Sequence, residues 1–141
     1  MSFLLDTNVL SELVHRKPPA KVLQWFQDVP EERLHLSVIS VGELRCGIEL
    51  ARDAARREKR RVWLERDLSD RFSDRLLSIT PAVADRWGRL LAEVGRSVPE
   101  INSLLAATAL THSLRIVTRN VCDFRFPGLQ VVNPWEAGGG A

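Results

Sequence analysis

The chain opens on an apolar run, Phe3-Leu4-Leu5, followed at once by Asp6-Thr7-Asn8. A short unbroken run of this kind predicts a strand buried on both faces, with Asp6 delivered at its carboxyl end. Similar runs at 34–39, 75–79, 114–118 and 129–132 predict four more strands. Between them the spacing of apolar residues predicts helices over 7–14, 20–28, 40–51, 54–72, 81–94 and 101–112. Lys17-Pro18-Pro19 breaks the first helix, Pro30 ends the second, and Gly95 closes the fifth after a Thr80-Pro81 start. In the long fourth helix, Leu64, Leu68 and Phe72 share one face while arginines and glutamates occupy the rest. Strands separated by helices imply parallel βαβ units with right-handed crossovers, hence a three-layer α/β fold with a central parallel sheet flanked by helices.

Composition changes this picture little. The 141 residues are 45% hydrophobic, as expected for one domain with one core, here placed at 1–135 with a flexible tail at 136–141. The net charge of +2 does not by itself announce nucleic acid, so any basic surface must be local. No apolar run approaches the roughly 20 residues that span a bilayer. With no signal sequence at the start and only Cys46 and Cys122, read as small, partly buried apolar side chains, a reducing cytoplasm is expected.

The chemistry lies in four positions: Asp6, Glu43, Asn102 and Asp123. Each has a structural alternative, since Asp6 and Asn102 could cap helices, Ser40 with Glu43 matches a capping box, and Asp123 could stabilise a turn. Taken together they suggest a different role, because acids converging at helix starts repel one another unless a cation sits between them. A set of oxygen donors without His or Cys suits Mg²⁺, or Mn²⁺, and points to phosphodiester hydrolysis. Thr7, Asn8, Ser11, Thr118 and Asn120 add neutral groups able to orient water or phosphate, or else to cap helices and turns. His15, His35 and His112 show no partnered pattern.

Four segments carry a resemblance: residues 3–13, FLLDTNVLSEL; 36–48, LSVISVGELRCGI; 99–109, PEINSLLAATA; and 117–124, VTRNVCDF. In order and spacing they resemble the PIN-domain ribonucleases, specifically VapC-type toxins of the FitB-like branch of bacterial toxin–antitoxin systems. The resemblance implies a Mg²⁺-dependent endoribonuclease in which Asp6, Glu43 and Asp123 match family acids, with Asp6, Asn102 and Asp123 as metal ligands. It also implies a homodimer silenced by a VapB-type antitoxin, through which alone the assembly touches operator DNA. Asn102 stands where the family motif carries its fourth acid. The site there loses one negative charge, which implies reduced activity, natural or engineered, or a module that binds antitoxin or RNA without cutting.

The run from Arg52 to Arg61 is densely basic, and Arg56, Arg57 and Arg60 are candidates for contact with RNA phosphates, with antitoxin contact as a rival use of the same surface, against the plainer role of a solvated helix face. Trp25, Trp63, Trp87 and Trp135 are scattered and read as core or dimer-interface anchors. A receiver domain, also a small α/β protein with an acidic pocket, lacks its required residues here, because Thr80-Pro81 and Thr118-Arg119 follow the strands that should end in Asp and Lys.

Overall fold

Phe3 and Leu5 join one buried cluster and Leu4 another, so the alternation along the first strand divides the hydrophobic interior into two halves on opposite faces of a sheet. A computed structural model describes residues 1–15 and 17–136. Beyond Glu136, the expected tail lies outside the described residues.

Five strands, β1 (Phe3–Leu5), β2 (Leu34–Ser37), β3 (Leu76–Leu77), β4 (Arg115–Val117) and β5 (Val131–Val132), form one sheet in the order β3-β2-β1-β4-β5. Every neighbouring pair is parallel. Helices α1 (Thr7–Glu12), α2 (Ala20–Asp28), α3 (Val38–Leu50), α4 (Ala54–Val62) and α5 (Ser69–Arg71) accompany the cluster of Phe3, Leu5, Leu10, Trp25 and Leu44. Helices α6 (Pro81–Val94) and α7 (Glu100–Thr111) cover Leu4 and Ile116 on the other face. The result is the expected three-layer α/β arrangement.

The strands are shorter than their apolar runs. Ser37 has an extended backbone and its hydroxyl accepts from the Ile39 amide, so α3 starts at Val38 and takes two apolar residues from the expected second strand. The Ser40–Glu43 capping box is therefore overturned: Ser37 caps α3, and the buried Ser40 hydroxyl has no hydrogen-bond partner among the described residues. Farther on, the expected long helix widens into π-helical turns over Trp63–Leu68. Four-residue spacing overshoots a turn of 3.6 residues, and i→i+5 turns keep Leu64, Leu68 and Phe72 together on the buried side.

Arg75 ties the lower edge of the sheet to the preceding helix. Its guanidinium donates to the Leu34 carbonyl at 2.8 Å, to the Glu31 carboxylate at 2.9 Å and to the Arg71 carbonyl, and it lies 4.7 Å from the Phe72 ring centroid. Trp25 packs edge-on against Phe3 and Phe26, while Trp63 and Trp135 pack partly buried on the same cluster. Both cysteines are free and exposed, which corrects the expectation of partly buried side chains. No helix among the described residues is long and apolar enough to cross a membrane.

Candidate functional site

Asp6 leaves the central strand β1, whose last residue pairs with Val117 of β4. The Asp6 amide donates to the Val117 carbonyl at 2.9 Å, so the ladder holds Asp6 at the carboxyl end of the sheet, where open α/β folds bind ligands. Its carboxylate has two duties. Oδ1 accepts from the Thr7 amide at 2.8 Å and caps α1, and Oδ2 accepts from the Thr118 hydroxyl at 2.8 Å. The Asn8 amide donates to the same Oδ2 at 3.3 Å and to Thr118 Oγ1 at 3.2 Å, while the Asn120 amide N–H donates to Thr118 Oγ1 at 3.0 Å. Thr118 is fully buried and joins the ends of β1 and β4 through one hydroxyl.

Glu43 lies in the second turn of α3, too far along the helix to cap it. Its Oε1 accepts from the Thr7 hydroxyl at 2.7 Å. Thr7 thus contacts both acids, Asp6 through its amide and Glu43 through its hydroxyl.

Burial holds the Asp6 carboxyl above the ordinary 3.8 of an aspartate and the Asp123 charge adds to the rise, while hydrogen bonds from Thr118 and Thr7 oppose it. Burial likewise raises Glu43 above its ordinary 4.5, with the Asp6 charge adding and the Thr7 hydrogen bond opposing. Asp6 therefore feels like charge from two directions. Among the described residues no Lys or Arg forms an ion pair with Asp6, Glu43 or Asp123.

Asp123 sits exposed in a short 3-10 turn, Val121–Phe124, directly after β4. Its backbone N–H closes the turn on the Asn120 carbonyl at 3.0 Å, and its carboxylate makes no hydrogen bond with a described residue. Asn102 is partly buried in the first turn of α7 and also makes no side-chain hydrogen bond there; the residue before α7 is Pro99, so Asn102 is not its cap. The turn at His112–Ser113 reverses α7 directly into β4, with Leu114 N–H on the Ala109 carbonyl at 2.8 Å, which directs the start of α7 toward the carboxyl end of the sheet.

The remaining sequence-derived residues divide cleanly. Ser11 donates to the Thr7 carbonyl at 3.0 Å and braces α1 without touching an acid. Arg56 and Arg60 line a cavity of about 540 Å³ together with Val14, His15 and Lys17, whereas Arg57 donates instead to the Ala51 carbonyl at 3.0 Å. His15 and Lys17 carried no sequence signal for that cavity, because only folding brings the end of α1 beside α4.

Among the described residues no three Asp, Glu, His or Cys side chains gather closely enough to hold a metal ion by themselves. The acids interact in pairs instead, Asp6 with Asp123 and Asp6 with Glu43. That donor set fits Mg²⁺, which binds through one or two carboxylates and keeps water and phosphate as further ligands. It does not fit a cation that needs an all-protein cage.

A family model described as the PIN domain matches residues 3–125. The chain is 40% identical to the plasmid stability protein StbB of Pseudomonas syringae pv. tomato, over 95% of this chain and 99% of the relative. It is 33% identical to the VapC ribonuclease Y4jK of Sinorhizobium fredii, over 94% and 97% respectively. The crystal structure of FitAcB from Neisseria gonorrhoeae superimposes with a TM-score of 0.86 at 31% identity, covering 96% of this chain and 99% of that one. With the strand order, the end-of-strand acid and this breadth of similarity in agreement, the chain belongs to the PIN-domain family.

Proposed function

We propose that this protein is a divalent-metal-dependent endoribonuclease, the toxin of a toxin–antitoxin pair, acting in the cytoplasm as a homodimer until a VapB-type antitoxin silences it. The observation that supports this most strongly is the group of acids around Asp6, which have no basic partner among the described residues. Carboxylates that repel one another at the ligand-binding end of a sheet are costly unless a cation joins them. The relatives support the substrate class, one being a VapC ribonuclease, and the solved neighbours, including a VapBC complex from Salmonella typhimurium bound to DNA, support the antitoxin partner.

In this reading Asp6, Asp123 and the Asn102 amide oxygen hold Mg²⁺ or Mn²⁺. When bound, the cation supplies positive charge against which negative charge on the phosphate and the departing 3′ oxygen is stabilised. Thr118 and Asn8 fix the Asp6 carboxylate. Thr7 fixes one oxygen of Glu43 and leaves the other to accept a proton from the attacking water. Asn102 in place of a fourth acid removes one unit of negative charge and attenuates the site without changing its size.

The test is cleavage of RNA by the purified chain with Mg²⁺ and with a chelator, beside Asp6→Asn. Metal-dependent cleavage that disappears in the variant is expected. Equal cleavage by both proteins would remove the reaction from this site. Copurification of a small DNA-binding protein with the chain tests the antitoxin.

A further inference from the structure

The basic residues of α4 fall into two sets. Arg61 is neutralised by Glu58 at 2.9 Å and by Glu65 at 3.2 Å, Arg57 is committed to the Ala51 carbonyl, and Arg45 on α3 is bound by Glu65 at 3.0 Å. Arg56, Lys59 and Arg60 have no ion pair among the described residues. These three recur at helical spacing on one face of α4 and line the 540 Å³ cavity with Lys17 and His15. Among the described residues no carboxylate lines it. The acids Glu58 and Asp67 line the adjoining groove, which shares Val14, His15 and Lys59 with the cavity and also contains Trp63.

We propose that this cavity anchors the phosphodiester backbone of the RNA substrate away from the bond that is cut; the inference rests on the ribonuclease reading. Lys17, Arg56, Lys59 and Arg60, none of them in an ion pair among the described residues, repel one another around this concavity and concentrate polyanions. Guanidinium groups also match phosphate oxygens bidentately. The turn after α1 supplies Val14 and His15 to the cavity and the start of α1 supplies Thr7 to the acid site, with a rise of about 9 Å across the six residues of α1. A single strand lying along α1 therefore reaches both places. Every nucleotide carries a phosphate, so an RNA strand presents charge to these cations whatever its sequence.

The test uses the full chain in chelator, so that nothing is cut, with a short labelled single-stranded RNA followed by anisotropy across salt concentrations. The triple variant Arg56→Gln/Lys59→Gln/Arg60→Gln is expected to reduce the slope of log K against log salt by about 2, at roughly 0.7 per phosphate contact. The control Arg61→Gln should leave the slope unchanged. An unchanged slope in the triple variant, or no RNA binding by the unmodified chain, overturns the proposal. So does a triple variant that keeps RNA binding and loses polyglutamate, which assigns the cavity to an acidic protein segment. Metal-dependent cleavage with an unchanged slope overturns the anchor alone. Absence of cleavage by both the unmodified chain and Asn102→Asp overturns the ribonuclease reading, while the slope still decides whether RNA occupies the cavity.

Discussion

The Thr118 hydroxyl donates to Asp6 Oδ2 at 2.8 Å across 112 positions of sequence, joining the ends of the two central strands at the acid site. The same oxygen accepts from the Asn120 backbone and from Asn8, so the side chain is saturated and fully buried. Replacing it by the isosteric Val leaves the Asn120 N–H without this partner, leaves the Asn8 amide with only its bond to Asp6 Oδ2, and removes the hydrogen bond that opposes the rise in Asp6. Thr118→Val is expected to cost about 1–2 kcal/mol in urea unfolding and to lower metal-dependent cleavage by roughly 10–100-fold. Thr118→Ser should recover most of both. A Val variant with unchanged cleavage would show that Asp6 needs no such support.

Burial and like charge raise Asp6 and Glu43, which sets the sign of their contribution to stability. The unfolded chain releases these protons first, so the contribution is fully present below the ordinary values of 3.8 and 4.5 and is lost as pH rises through the raised folded ones. Without metal, Asp6→Asn should therefore melt close to the unmodified protein in acid and roughly a few degrees higher at neutral pH. Mg²⁺ should raise the melting temperature of the unmodified protein and leave the variant unmoved. A variant that melts lower at neutral pH contradicts this sign.

Ser37 and Ser40 offer a contrast at the start of α3. Ser37→Ala removes the cap and should cost about 1 kcal/mol. Ser40→Ala removes a buried hydroxyl that has no partner among the described residues and should be near neutral. Denaturant midpoints for the two variants decide between them, and the reverse order would restore the cap to Ser40.

Arg75 satisfies the backbone carbonyls of Glu31, Leu34 and Arg71 and meets the carboxylates of Glu31 and Asp74 while stacking on Phe72. Arg75→Ala is expected to destabilise the fold by about 2–3 kcal/mol in urea unfolding. Arg75→Lys should recover little of this, since an ammonium cannot reproduce the planar fork. Full recovery with Lys would reduce the arginine to a point charge.

Much of this was readable from the chain because the relevant signals are local. An apolar run ending in Asp6 specifies both a buried strand and the end at which its acid emerges, and Thr80-Pro81 with Gly95 bounds α6 correctly. The start of α3 is not legible locally because Val38 and Ile39 suit either a strand or a helix, and only the Ser37 hydroxyl on the Ile39 amide decides between them. The π-helical turns depend on how Leu64, Leu68 and Phe72 meet the sheet, which no local pattern encodes. Thr7 was visible as a polar neighbour of Asp6, but its bond to Glu43 spans 36 positions and exists only after folding. The sorting of Arg56 from Arg57 is likewise a matter of helix facing and of which carboxylates lie within reach.

The most direct measurement is the rate of RNA cleavage by Asn102→Asp in Mg²⁺, beside the unmodified chain and the double variant Asp6→Asn/Asn102→Asp. Restoring the fourth carboxylate is expected to raise the rate by roughly 10–100-fold, and removing Asp6 from the restored site should abolish it. If Asn102→Asp cleaves no faster, or if the double variant cleaves as fast as Asn102→Asp, the acids around Asp6 are not a nuclease site.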